Sequence, residues 1–264
     1  MNVKTALVTG GTSGIGLAAA KALAAKGVKV YCMSRRDFIE EGLLHVRADV
    51  TDYEQVKAAV DGIAAAEGGI DLVVNCAGSG ISGAVEFTTP EDAKRQIDVN
   101  FFGTVNVNKA VIPHMRENGG GRIVNISSVG APAALPFQAF YSASKAAINT
   151  YTCALINELR PFGISVTAIM PGDIRTGFTA ARKKNPAGDD IYGGRIERSV
   201  SKMEHDEQNG MSPEKAAKTI CRVCFKKRVK PLYAIGFSYK AVCVLLKLLP
   251  CSVGNRVIGG MYAK

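Results

Sequence analysis

Short apolar runs rich in Val and Ile alternate along the chain with helical patterns of a dozen or more residues, and a glycine-rich turn joins the first run to the first helix. Together these features predict an α/β protein, a doubly wound and mostly parallel sheet of about seven strands with helices on both faces, the Rossmann fold. At 264 residues the chain is long enough to bury about three quarters of the surface its unfolded form exposes, so residues 1–264 are expected to form one domain around one core.

The predicted strands cover residues 5–9, 29–33, 44–48, 71–75, 122–127, 165–170 and 231–235. Between them the periodicity predicts helices over 15–26, 52–66, 90–117, 140–160 and 212–224. Asp52 is placed to cap the second helix, and Ser212 followed by Pro213 opens the last. Regularity fails over 177–211, which is polar and rich in Gly, Lys, Arg and Asp. A stretch of that length is expected to be a substrate-binding excursion or lid. It follows the sixth strand, at whose carboxyl end this architecture binds ligands. The tail, 237–264, is apolar again, with Ala241-Val-Cys-Val-Leu-Leu246 ahead of Leu248-Leu249-Pro250. That run is too short to span a bilayer and is expected to dock over the core or a substrate site, with peripheral membrane contact as the other use of such a segment.

Composition narrows the class of function. Hydrophobic residues at 47% and charged residues at 21% are those of a globular protein rather than a disordered one. No apolar run reaches 18 residues, and a strand pattern begins almost at once, leaving no stretch with the features of a leader; the expected location is cytoplasmic. Seven scattered cysteines fit reduced thiols. Cys221 and Cys224 form a lone CxxC without further ligands, so no metal is expected. The net charge of +10 would suit an anionic partner, but the basic clusters Arg182-Lys183-Lys184 and Lys226-Lys227-Arg228 lack interleaved aromatics, and no nucleic-acid partner is expected. The same charge can attract a phosphorylated cofactor.

Three motifs carry chemistry. The first strand ends in Thr9-Gly-Gly-Thr-Ser-Gly-Ile-Gly16, where Gly10, Gly14 and Gly16 permit a tight turn and close backbone approach, and the following helix offers unpaired amides to a pyrophosphate. Thr12, Ser13 and Ile15 complete that turn. The second strand ends in Ser34-Arg35-Arg36, where an NAD site would carry an acidic residue; a guanidinium makes paired bonds to phosphate, so Arg35, helped by Arg36, is expected to hold the 2′-phosphate of NADP(H). Asp37 is the one nearby acid that could admit NAD. Lastly, Tyr141 and Lys145 stand four residues apart, which on a helix puts phenol and ammonium on one face, where the ammonium would favour phenolate.

In this order and spacing the motifs resemble the short-chain dehydrogenase/reductase family from about Lys4 to Thr176. The matching residues are the TGGTSGIG turn, Asp49-Val50, Asn75-Cys-Ala-Gly78, Asn100, Ser127-Ser128, Tyr141 with Lys145, and Pro171-Gly172 with Ile174 and Thr176. Cys76 departs from the asparagine usual in the family. The resemblance implies a ketone or aldehyde reductase, or the reverse alcohol dehydrogenase, working by hydride transfer. By the same resemblance Asp49 contacts adenine, Asn75, Ala77 and Gly78 flank the cofactor, and Ile174 and Thr176 contact the nicotinamide amide. Ser128 and Tyr141 bind the carbonyl oxygen, Tyr141 serves as general acid, Lys145 holds the ribose and lowers the phenol's pKa, and Asn100 anchors a water. A homodimer or homotetramer is expected, and the apolar tail suggests a steroid, retinoid or lipid-like substrate, with Arg182, Lys183, Arg195 or Arg198 available to an anionic group. A silent NADP(H)-binding regulator of the same fold is the alternative.

Overall fold

The computed structural model describes residues 3–263. From the amino end the elements are β1 (Thr5–Thr9), α1 (Gly14–Ala24), β2 (Lys29–Ser34), β3 (Leu44–Arg47), α2 (Tyr53–Glu67), β4 (Leu72–Asn75) and the short β5 (Ile81–Ser82). They continue through α3 (Pro90–Ile97), α4 (Gly103–Glu117), β6 (Gly121–Ile126), α5 (Ala139–Leu159), β7 (Ile164–Met170), α6 (Phe178–Ala181) and β8 (Lys183–Lys184). The chain closes with α7 (Arg195–Gln208), α8 (Pro213–Cys224), β9 (Leu232–Ala234), α9 (Phe237–Leu248) and α10 (Cys251–Tyr262).

Seven strands form one parallel sheet in the order β3-β2-β1-β4-β6-β7-β9. The order reverses beside β1, which pairs with β2 on one side and β4 on the other, and the carboxyl ends of these strands therefore frame the crevice where ligands bind. Every residue of β1, β4 and β6 is buried, as a strand covered on both faces requires. Alternation splits β1 between two cores: Ala6 and Val8 pack with Leu23, Val74 and Ile220, while Leu7 packs on the other side with Val73, Val107 and Leu155. Asp52 caps α2 by accepting from the Gln55 amide at 3.1 Å, and Ser212 caps α8. Among the described residues no helix is long and apolar enough to cross a membrane.

Two stretches differ from the sequence reading, and a third gains a structure that reading left open. The helix expected over 90–117 is divided by a π turn, Asp98–Phe102, whose extra residue per turn brings Asn100 fully inside. The expected irregular excursion holds α6, β8 (paired in parallel with β5) and a regular helix, α7. A polar outer surface hides the inward spacing of Ile196, Val200 and Met203 on α7. The apolar tail forms two helices, α9 and α10.

Candidate active site

At the carboxyl end of β1 the glycine turn is packed backbone against backbone. A Cβ at Gly16 would stand 2.2 Å from the Gly10 carbonyl oxygen, and one at Gly10, where φ is +61°, would meet the Ala77 backbone at 3.0 Å. Thr9 Oγ1 accepts from the Cys76 and Ala77 amides, each at 3.1 Å, and so fastens the turn 75–78 to the glycine turn. Ser13 stands before α1 in extended backbone without capping it by its side chain, which leaves the first-turn amides of α1 available to an anion. Thr12, Ser13, Gly14 and Ile15 form the rim, with Thr176 opposite, 3.4 Å from where a Gly14 Cβ would lie. This cradle fits the pyrophosphate of a dinucleotide. A groove of about 560 Å³ opens from it between α1 and α8, along Gly14, Lys21, Thr176 and Lys218.

At the end of β2, Ser34 Oγ donates to the Arg36 carbonyl at 2.8 Å and bonds His45 Nε2 at 3.0 Å, fixing the turn that displays Arg35 and Arg36. The Arg35 side chain is exposed and lies 3.8 Å from Asp49 Oδ2. Asp37 points outward toward Arg47, 3.9 Å away. Asp49 is itself held by the Thr51 amide and hydroxyl. At two positions expected beside the cofactor the side chains are engaged within the chain. Asn75 is buried, its amide donating to Asn108 and Asn125 at 2.8 and 2.9 Å, and Val50 is packed against Gly103 in the core. Ile174 is also a core side chain, and its backbone forms a parallel bridge with Met211. Pro171 accepts from the Val129 amide at 2.9 Å, and Gly172 is covered by the Tyr239 ring.

Tyr141 and Lys145 share one face of α5, with the ammonium 5.8 Å from the phenol ring centre. The two serines after β6 part company. Ser127 Oγ donates to the Lys145 carbonyl at 2.9 Å and is spent on the helix, whereas Ser128 Oγ accepts from the Gly130 amide at 3.0 Å and lies beside Tyr141, both flanking Gly130. Burial pushes the Tyr141 phenol up; the Ser128 hydroxyl opposes this, Glu207 and Asp173 add to it, and Arg182 counters them. The lowered phenol expected from Lys145 is not found: burial dominates at Tyr141, and the ammonium donates to the Ile126 carbonyl at 2.9 Å. Lys145 is itself lowered by burial to about 8. Asn100 does not hold its side chain open to a water: Oδ1 accepts from the Ser79 amide at 2.8 Å, and Nδ2 donates to the Ser79 carbonyl and to Ser144 Oγ. Gly78 lies between Asn100 and Lys145, where a Cβ would stand 3.7 Å from Nζ.

Sequence reasoning missed Phe178, Thr179, Glu207 and Tyr239 near the site, and expected Arg182 only as a substrate-facing cation. Phe178 stands 5.8 Å from the Tyr141 ring, and the Arg182 guanidinium lies 5.6 Å from Phe178. Arg182 is buried and paired with Glu207, which also accepts from Thr179 Oγ1 at 2.5 Å. Tyr239, from the tail, donates to Asp173 Oδ2 at 2.5 Å; burial raises that carboxyl. The four cations expected for an anionic substrate group are engaged within the chain: Arg182 with Glu207, Lys183 with Asp92, Arg195 with the Ala263 carbonyl and Arg198 with the Gly193 carbonyl.

A phosphate-sized backbone cradle at the switch point, next to a half-buried phenol and hydroxyl and a buried ammonium, defines an α/β nucleotide-binding oxidoreductase. Residues 4–187 match the family model described as short chain dehydrogenase, and the chain belongs to that family, oxidoreductases acting on CH–OH groups with nicotinamide cofactors. It is 38% identical over 247 residues to the 3-ketodihydrosphingosine reductase of Bacteroides thetaiotaomicron, across 90% of this chain and 92% of that one. A solved short-chain dehydrogenase from Streptomyces avermitilis has a TM-score of 0.77 at 30% identity, covering 94% of this chain and 96% of its own. The 3-ketoacyl-(acyl-carrier-protein) reductase from Brucella melitensis, solved with NADH, has a TM-score of 0.73 at 28% identity, covering 88% and 96%.

Proposed function

We propose that the protein is an NADP(H)-dependent reductase of a lipid-like ketone, a long-chain keto compound related to 3-ketodihydrosphingosine. The observation that carries this reading is the pairing of Ser128 with Tyr141 one helical turn from the buried Lys145, in a chain whose 38% identical relative bears that substrate in its name. When bound, the nicotinamide supplies hydride to the carbonyl carbon. Ser128 Oγ and Tyr141 Oη donate to the carbonyl oxygen, where negative charge grows, and Tyr141 then transfers its proton to that oxygen. Lys145, charged below about pH 8, holds positive charge close to the phenol as the proton leaves. Phe178 and the ring of Tyr239 give the site apolar walls. Arg35, exposed at the end of β2 with Asp37 turned away, favours NADP(H) over NAD. Exposed Phe102, beside the start of α4, supports assembly through α4 and α5.

The test is a panel of 3-ketodihydrosphingosine, a steroid ketone and a short polar sugar, each with NADPH and with NADH. The long-chain ketone with NADPH is expected to lead the sugar by at least about tenfold in kcat/KM, and Arg35→Asp to move preference toward NADH by a similar factor. Equal rates on all three substrates would overturn the substrate assignment, and an unchanged NADPH preference in Arg35→Asp would overturn the cofactor assignment.

A further inference from the structure

From Phe237 to the carboxyl end the sequence contains no Asp or Glu, although 23 acidic residues precede it, while Lys240, Lys247, Arg256 and Lys264 fall in this stretch. Both helices built from it are apolar on two faces. Tyr239, Cys243 and Leu246 turn α9 inward, and Gly254 and Ile258 do so for α10, where Leu246 packs on Gly254. Along the opposite face of α9, Phe237, Val244, Leu245 and Leu248 recur at helical spacing, exposed by 90%, 59%, 51% and 77%. On α10, Val253, Val257 and Met261 make a second exposed stripe, beside its buried side rather than opposite it. In a helix of 3.6 residues per turn, Lys240 and Lys247 lie along one flank of the first stripe, and Arg256 lies on the flank of the second.

We infer that α9 and α10 form a surface that docks on an anionic lipid bilayer. Exposed apolar stripes edged by cations and free of acids match the boundary where acyl chains meet anionic headgroups. A second copy of this chain fits the face less well, because like-charged tails meeting across a symmetric contact would set lysine against lysine with no acid of their own to pair. The surface is tied to the site below. Tyr239 donates to Asp173 and covers Gly172, Tyr262 donates to Asp206 at 3.3 Å, and Arg195 holds the Ala263 carbonyl at 2.7 Å. Docking would therefore set the crevice around Tyr141 close to the lipid, so that a long-chain substrate need not cross water. The inference does not depend on which ketone is reduced.

The test is sedimentation of the full chain with vesicles of phosphatidylcholine alone or with 30% phosphatidylglycerol, scored by bound protein and so independent of turnover. Binding to the anionic vesicles is expected to exceed binding to phosphatidylcholine by about tenfold or more and to weaken at high salt. The Leu245→Glu/Leu248→Glu variant, and separately Lys240→Glu/Lys247→Glu, should lose at least about tenfold in vesicle binding while their turnover of a short, water-soluble ketone stays unchanged. Failure of the chain to bind either vesicle, or equal binding by both variants and the parent, would overturn the proposal. So would a parent dimer that Leu245→Glu/Leu248→Glu converts to monomer without altering vesicle binding, which would make a second copy the occupant.

Discussion

The Asn100 amide donates to Ser144 Oγ at 3.0 Å, and Ser144 in turn donates to the Tyr141 carbonyl at 2.7 Å. The π turn that carries Asn100 is thereby joined to the first turn of α5, and through Ser79 to the strand end beside the cofactor cradle. These bonds tie Asn100 to the backbone of Tyr141, which makes it a candidate positioning residue for the phenol. Asn100→Ala removes three hydrogen bonds and leaves the Ser79 amide without its acceptor, at a cost of about 3 kcal/mol in stability. It should also lower kcat at least about tenfold by loosening Tyr141, since small misplacements of a catalytic group are costly. Dinucleotide affinity should stay within about threefold. Urea unfolding, kcat and calorimetric binding measured on one preparation check the three together.

Ser127 and Ser128 are adjacent in sequence and opposite in use. Ser127→Ala removes the bond to the Lys145 carbonyl, so it should cost about 1 kcal/mol of stability and leave kcat within about tenfold. Ser128→Ala removes the hydroxyl beside the phenol and should lower kcat by about 10² or more with a nearly unchanged melting temperature. Tyr141→Phe should lose about 10³. Matching losses in the two serine variants would contradict the division of labour.

Lys145 titrates near 8 because burial disfavours its charge, against 10.5 for a lysine in water. Between these values the unfolded chain holds the extra proton, so stability rises with pH across that window, and below it the cost of the buried charge is felt in full. Lys145→Met removes this slope. Its melting temperature relative to the parent should be most favourable near pH 7 and the advantage should shrink toward pH 10.5. Ketone reduction should decline as pH rises through about 8, and Lys145→Arg should shift that limb beyond the measurable range. A parent profile flat from pH 7 to 10 would show that the ammonium is not required.

The sheet was legible because its central strands are buried on both faces and read as continuous apolar runs: Ala6-Leu-Val8, Leu72-Val-Val74, Ile123-Val124. The glycine turn was legible because close backbone packing admits no side chain at Gly10 or Gly16. What stayed hidden depends on contacts distant in sequence. Nothing local distinguishes an Asn75 aimed at a cofactor from one bonded to Asn108 and Asn125, and the π turn at Asn100 leaves the surrounding helical period almost intact. Phe178, Arg182 and Glu207 converge on Tyr141 only once α7 folds back over α6, and α7 advertises just three large apolar side chains on its buried face. The sequence of α9 likewise showed an apolar run without showing that both sides of the helix would be apolar.

Arg182 illustrates how such a contact can be tested. Its guanidinium is buried beside Phe178 with Glu207 as its charged partner, while Nε and Nη1 have no hydrogen-bond acceptor. Glu207→Ala leaves that charge uncompensated inside the protein and should cost about 3–5 kcal/mol, whereas Arg182→Met combined with Glu207→Leu, which removes both charges and keeps apolar volume, should cost clearly less. A double-mutant cycle by urea unfolding reads the difference as a coupling energy. Because Thr179 and Arg182 both bond Glu207, the single Glu207→Ala change should also free α6 to move away from Tyr141, raising KM for the ketone more than it lowers kcat. Additive losses around the cycle would mean that the pair is held in place by its surroundings and contributes nothing of its own to closing the site.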